Sequence, residues 1–131
     1  MKEAIEDLQA DHLLGIDSRG FIFATALAQK MSLPMVMARK PGKLPGEVIS
    51  QSYSLEYGEA TLEVQIDAIN PGDKVVIIDD VLATGGTAKA ASELVDKMGA
   101  DTSGFVFFVE LEFLDGRKVL NSEAVRSLVK F

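Results

Sequence analysis

The sequence predicts an α/β protein with a mostly parallel, twisted sheet flanked by helices and one antiparallel excursion. Three observations carry that prediction. Short apolar runs rich in Val, Ile and Leu alternate along the chain with segments of helix formers. Polar, glycine-bearing loops follow two of those runs and open helices, which places a binding crevice at the carboxyl ends of parallel strands. Val48 to Ser54 and Ala60 to Ile66 are consecutive β-prone segments that interrupt the strand–helix rhythm, as an antiparallel pair would.

Each element has its own warrant. Met1, Ile5 and Leu8 share one face of an opening amphipathic helix whose other faces carry Lys2, Glu3, Glu6 and Asp7. The chain is expected to begin directly inside that helix, with no leader before it. Leu13 to Ile16 is a short apolar strand, Asp17-Ser18-Arg19-Gly20 a polar loop, and Phe21 to Met31 a helix of alanines and other good formers. Ser32-Leu33-Pro34 breaks that helix, and Met35 to Ala38 is a second buried strand. Arg39 to Glu47 carries two prolines and two glycines among three cations, a composition suited to a mobile surface loop. Asn70-Pro71-Gly72-Asp73 is a turn. Lys74 to Ile78 then reads as a central strand buried on both faces and ending at Asp79-Asp80. Thr87 to Met98 is a helix closed by Gly99, Phe105 to Val109 the next buried strand, Asp115-Gly116 a turn, and Val125 to Val129 the last strand.

Composition bounds the function. The 131 residues, 47% hydrophobic and 25% charged, suit one domain spanning residues 1–131, without repeat, low-complexity tract or linker. Thirteen Lys and Arg against twenty Asp and Glu give a net charge of −7, which opposes nucleic-acid and anionic-membrane partners. Without cysteine there is no disulfide, thiolate metal site or thiol nucleophile, and the lone His12 reads as structural. No stretch approaches the roughly 20 apolar residues that span a bilayer. The acidic opening is unlike a targeting segment, so a cytoplasmic location is expected. Phe105, Phe107 and Phe108 lack basic neighbours and read as core rather than a base-stacking platform.

The strongest chemical signal runs from Val75 to Thr87: an apolar strand, two acids, a small-residue loop and a helix start. Asp79 and Asp80 at a strand tip can accept hydrogen bonds from vicinal sugar hydroxyls. Ala83, Thr84, Gly85, Gly86 and Thr87 can turn backbone N–H groups and two hydroxyls toward a phosphate at the helix N-terminus. The plainer reading is that Asp80 and Thr87 cap the helix while Gly85-Gly86 only turns. A Walker loop is excluded because no Gly-Lys-Ser/Thr follows. Ser18 and Arg19 lie where backbone N–H groups and a guanidinium can clasp an anion. Arg39, Lys40 and Lys43 form the only basic cluster of an acidic chain, which is otherwise a solvated surface. Glu56 alone is an ordinary turn carboxylate.

The acid pair followed by Ala83-Thr84-Gly85-Gly86-Thr87 is similar to the phosphoribosyl pyrophosphate signature of the type I phosphoribosyltransferases. Gly15-Ile16-Asp17-Ser18-Arg19-Gly20-Phe21, Arg39 to Gly46, Tyr53-Ser54-Leu55-Glu56-Tyr57-Gly58 and Val109-Glu110-Leu111 further resemble the adenine phosphoribosyltransferase family. The resemblance runs essentially from Met1 to Phe131. It implies the type I phosphoribosyltransferase fold and a purine-salvage reaction. Ribose 5-phosphate would pass from phosphoribosyl pyrophosphate to N9 of adenine, giving AMP and pyrophosphate, with magnesium held mainly through phosphoribosyl pyrophosphate and water.

Carried over by residue, the resemblance implies that Asp79 and Asp80 hold the ribose and magnesium side and that Ala83 to Thr87 hold the 5-phosphate. Ser18, Arg19, Arg39, Lys40 and Lys43 would hold pyrophosphate, and Arg19 and Leu111 would contact adenine. Glu56 would accept or share the N9 proton, and Tyr57 would help a loop close. A homodimer is implied, because in the family some of the basic group reaches a neighbouring subunit's site. Nothing here matches the family's N-terminal Phe-Arg-Asp segment, so the purine hood is expected to be absent and adenine to be weakly held. Two alternatives stand beside this reading. One is a phosphoribosyltransferase for another purine, opposed by Lys43 to Gly46 and Leu55 to Gly58. The other is a non-catalytic sensor of phosphoribosyl pyrophosphate or a nucleotide, opposed by Glu56 and the basic loop.

Overall fold

The computed structural model describes residues 1–55, 57–120 and 124–131. Two 3₁₀ turns (Lys2–Ala4 and Glu6–Leu8) lead into β1 (His12–Ile16), α1 (Gly20–Met31) and β2 (Met35–Ala38). β3 (Val48–Ser54) and β4 (Glu59–Gln65) follow, then β5 (Lys74–Leu82), α2 (Gly86–Lys97) and β6 (Asp101–Glu110). A 3₁₀ turn (Glu112–Leu114), α3 (Gly116–Leu120) and β7 (Val125–Lys130) complete the chain. The main sheet is five-stranded in the order β2-β1-β5-β6-β7, and every pairing in it is parallel. β3 and β4 pair antiparallel as a separate two-stranded sheet. The expected α/β architecture with its antiparallel excursion is therefore present.

The period of two along each strand divides the core between the faces of the sheet. Leu14, Ile16, Val75 and Ile77 pack with Ala88, Ala91, Leu94 and Val95 of α2, and with Leu62 and Val64 of β4. Leu13, Val76 and Ile78 point the other way, onto Ala24, Leu27 and Ala28 of α1 and onto Ile5 and Leu8 of the opening turns. Val75 to Ile78 are wholly buried, each contributing on the order of 1.5–3 kcal/mol of apolar burial. Such a strand can be alternating in structure and continuous in sequence, because both faces are covered.

Several expectations are corrected. The opening segment is two 3₁₀ turns rather than an α-helix: so short a segment cannot sustain α-helix on propensity, and Gln9 at φ 55° stops it. Hydrogen bonds from Ile5 N–H to Lys2 and from Leu8 N–H to Ile5 nevertheless keep Ile5 and Leu8 on the buried side. β5 does not end at the acid pair. It continues to Leu82 because β6 is long enough to supply partners, Asp79 opposite Phe107 and Val81 opposite Val109. Beyond Asp115, which adopts φ 55°, the chain forms α3 as well as a turn; five residues are too few to show periodicity. Phe105 and Phe107 are core, but Phe108 alternates outward and stacks on Phe23 with ring centroids 5.3 Å apart. His12 lies within β1, where its Nε2 meets Asp73 Oδ2 at 2.8 Å.

Candidate active site

A cleft of about 510 Å³ opens at the carboxyl ends of β1 and β5, a volume in the range of small-ligand sites. Its floor includes Ile16, Leu82 and Phe107, and Tyr53 of β3 lines it from the antiparallel pair. The wall built by β5 and the start of α2 holds Asp79, Asp80 and Ala83 to Thr87. Gly85 makes the turn into α2 at φ 89°, a conformation that suits glycine. Helix geometry leaves the first amides of α2 without intrahelical partners, and the residues that carry them, Gly86, Thr87 and Ala88, line the cleft at the positive end of the helix dipole. Thr87 Oγ1 donates to the Tyr53 hydroxyl at 3.3 Å, tying the phosphate-type loop to the separate sheet.

The acid pair is electrostatically tuned. Asp80 N–H donates to Asp79 Oδ1 at 2.8 Å, and Arg19 Nε meets Asp80 Oδ2 at 2.5 Å. Burial, aided by the neighbouring Asp80 carboxylate, pushes Asp79 up to about 7, against the opposing pull of the Asp80 N–H and the Arg19 charge. Gly20 permits this crowding: a Cβ there would lie 2.9 Å from both Asp79 Oδ1 and the Ile78 carbonyl oxygen. α1 thus begins against the acid pair, and the loop before it, containing a cis Asp17–Ser18 peptide, borders the same cleft.

Across that loop, the nearly buried Asp17 gathers the basic segment. Its Oδ2 lies 3.4 Å from Arg39 Nε, 3.5 Å from the Lys40 amide and 3.9 Å from Lys43 Nζ. The segment is also tied to β4: Arg39 and Glu63 exchange backbone hydrogen bonds of 2.9 and 2.7 Å, and Gly42 N–H donates to Glu63 Oε1 at 3.0 Å. Arg39 further lies over the Phe21 ring, 5.7 Å from its centroid.

The residues singled out in the sequence are distributed unevenly. Asp79, Asp80, Ala83 to Thr87, Ser18, Arg19 and Lys40 line one cleft. Arg39 and Lys43 flank it through Asp17. Leu111 is outside the lining, its N–H bonded to the Leu82 carbonyl at 2.9 Å. Tyr57 is 88% exposed near the tip joining β3 and β4, and Glu56 lies outside the described residues. Sequence reasoning assigned no role to Asp17 or Tyr53. Asp17 carries no signal of its own in the sequence, because the basic segment it gathers lies 22 residues on. For Tyr53, the alternation of Ile49, Gln51 and Tyr53 with Ser50, Ser52 and Ser54 signals the covered face of the strand but not its place at the cleft.

The parallel sheet thus carries an acid pair that leads directly into a small-residue loop and a helix. A family model for the phosphoribosyl transferase domain matches residues 1–125. The adenine phosphoribosyltransferase of Synechococcus sp. is 54% identical, with the match covering 93% of this chain and 74% of that protein. The crystal structure of adenine phosphoribosyltransferase from Thermoanaerobacter pseudethanolicus superposes with a TM-score of 0.96 at 45% identity, covering 98% of this chain and 75% of that one. The Saccharomyces cerevisiae enzyme, solved with D-DIAB and adenine, gives a TM-score of 0.87 at 41% identity, covering 98% and 71% of the two chains. This chain belongs to the adenine phosphoribosyltransferase family.

Proposed function

We propose that one phosphoribosyltransferase domain, residues 1–131, transfers ribose 5-phosphate from phosphoribosyl pyrophosphate to N9 of adenine. The products are AMP and pyrophosphate, and the role is purine salvage. The observation that carries this reading is the unbroken run from Asp79 to Thr87 along one wall of the cleft. It offers acceptors for sugar hydroxyls and, next to them, donors for a phosphate. Amides of Ala83 to Thr87 hold the 5-phosphate without a reorganisation cost at reaction. Asp79 and Asp80 accept from the ribose hydroxyls. Ser18, Arg19 and Lys40, with Arg39 and Lys43 beside them, balance the charge that develops on departing pyrophosphate. Glu56 takes or shares the N9 proton, Tyr57 aids closure over the cleft, and Arg19 and Leu111 serve the purine side.

Magnesium fits the donor set. Adjacent carboxylates in an open cleft supply hard oxygen atoms, enough to orient an ion otherwise held by pyrophosphate oxygens and water. Bound there, it would neutralise leaving-group charge. A homodimer and a cytoplasmic location belong to the same reading. No helix among the described residues is long and apolar enough to cross a membrane.

The test is AMP formation from phosphoribosyl pyrophosphate and adenine with magnesium, alongside titration calorimetry of Asp79→Asn/Asp80→Asn. The double variant should stay folded and lose phosphoribosyl pyrophosphate binding, at about 1.5–3 kcal/mol per charge-assisted hydrogen bond. Unchanged affinity would remove the acid pair from the site. Tight binding by the unsubstituted chain without AMP formation would favour a sensor.

A further inference from the structure

The side of the 5-phosphate loop turned away from the cleft rests on α3 with almost no space between the backbones. A Cβ on Gly85 would lie 2.6 Å from the Gly116 carbonyl oxygen and 3.1 Å from Val119 Cβ. A Cβ on Gly116 would collide with the Ala83 carbonyl oxygen and come within 3.0 Å of Leu82 Cδ1. The two segments are therefore in direct van der Waals contact on both sides. A shift of α3 displaces Ala83 to Gly86 or opens a void behind them.

What ties α3 to the sheet is an ion pair whose acidic partner is buried. Arg117, its second residue, donates from Nε to Glu110 Oε1 at 3.0 Å and from Nη2 to Glu110 Oε2 at 2.6 Å, a bidentate fork. Its Nη1 donates to the Val125 carbonyl oxygen on β7. Glu110 is 4% exposed, sits at the end of β6, and takes a further hydrogen bond from Ser127 Oγ at 2.5 Å. The Arg117 fork holds the Glu110 carboxyl below the usual carboxylate range, so it remains charged at neutral pH. The pair thus ties α3 to two strands of the main sheet and lies outside the cleft lining, beside Gly116, which touches the loop.

We propose that Arg117 and Glu110 are positioning residues for the 5-phosphate loop, their forked ion pair fixing α3 as the stop against which Ala83 to Gly86 are set. The inference rests on the 5-phosphate reading of that loop. Lysine at 117 keeps the charge but cannot make both arms of the fork and reach Val125, so the stop loosens while the fold survives. Displacement of a donor array by a fraction of an ångström lowers affinity for the phosphate more than for the purine.

The experiment uses Arg117→Lys and Glu110→Gln, with Arg126→Lys as a control. Arg126 makes a forked clamp of the same pattern, with a more exposed acid, to Asp7 and to the Ala4 carbonyl, outside the cleft lining. Ribose 5-phosphate is titrated by calorimetry, the amide resonances of residues 83–87 are recorded, and KM is measured separately for phosphoribosyl pyrophosphate and adenine. Both site variants should melt cooperatively and shift the loop amides. Ribose 5-phosphate should bind on the order of 10–100-fold more weakly. KM should rise more for phosphoribosyl pyrophosphate than for adenine, while the control shows none of these changes. Folded variants with unshifted loop amides and undiminished ribose 5-phosphate affinity overturn the proposal. So does an equal loss in the control, which would mark the effect as general destabilisation. An unsubstituted chain that binds ribose 5-phosphate yet makes no AMP sinks the transferase reading alone and leaves the binding comparison valid.

Discussion

Asp79 is the residue at which stability and ligand binding oppose each other. Its carboxyl, pushed up to about 7 by burial, holds a proton in the folded chain over a range where the unfolded chain has released it. Folded-state stability contributed by that proton is complete below the ordinary carboxylate range and is lost as pH rises toward 7. The ribose hydroxyls, in contrast, are best accepted by the ionised form. Ligand binding near pH 6 is therefore expected to release a proton, read as a dependence of the calorimetric heat on buffer ionisation enthalpy. Asp79→Asn should reduce that release and flatten the decline in melting temperature between pH 5 and about 7.5; a release unchanged by the substitution would show that Asp79 does not supply the proton. Glu56 is the other residue with a separable prediction. Glu56→Gln preserves size but not the proton acceptor, so turnover should fall on the order of 10²–10⁴-fold while phosphoribosyl pyrophosphate affinity holds. Steady-state turnover equal to that of the parent would reduce Glu56 to a role in closure.

At the scale of elements, the loop from β5 into α2 depends on backbone shape more than on side chains. Gly85→Ala places a side chain at φ 89° and against the Gly116 carbonyl, so a loss of about 1–3 kcal/mol in denaturant titration is expected, together with weakened phosphate binding. Tyr53→Phe removes only the hydroxyl that Thr87 reaches and should weaken phosphoribosyl pyrophosphate binding without altering the fold; an unchanged KM would leave Tyr53 as packing. The elements themselves were largely readable in the chain. Met35 to Ala38 and Val48 to Ser54 match their strands to the residue, because prolines, glycines and a period of two bound them. What escaped reading depends on partners distant in sequence. β5 continues through Asp79 because β6 lies beside it, and α3 is a helix of five residues whose position is set by Glu110 and Val125. The candidate site divides in the same way. The acid pair and its loop are contiguous and legible, while Asp17 and Tyr53 acquire their places only when three segments converge.

Across the whole molecule, carboxylates set the acid limit. Asp7, Asp73 and Glu110 are all held below their ordinary values: Asp7 by the Arg126 fork, Asp73 by the Asn70 amide and then His12, Glu110 by Arg117. Their contribution is present above the unfolded-state values and is lost as pH falls through the folded ones. Combined with the opposite behaviour of Asp79, this predicts a maximum in apo-protein melting temperature in mildly acidic solution, with steep loss below about pH 4; a curve rising monotonically to pH 8 would contradict it. The separation of the two sheets has a further consequence in hydrogen-exchange kinetics. Amides of β5 are bonded within a ladder flanked on both sides by β1 and β6, so their exchange requires global unfolding. β3 and β4 bond to each other and join the rest through packing, the Arg39–Glu63 bridge and a few contacts such as Tyr53 with Thr87. Their amides should exchange through a smaller, sub-global opening, so the covering wall of the cleft can breathe while the acid pair and phosphate loop remain protected on their slow-exchanging base.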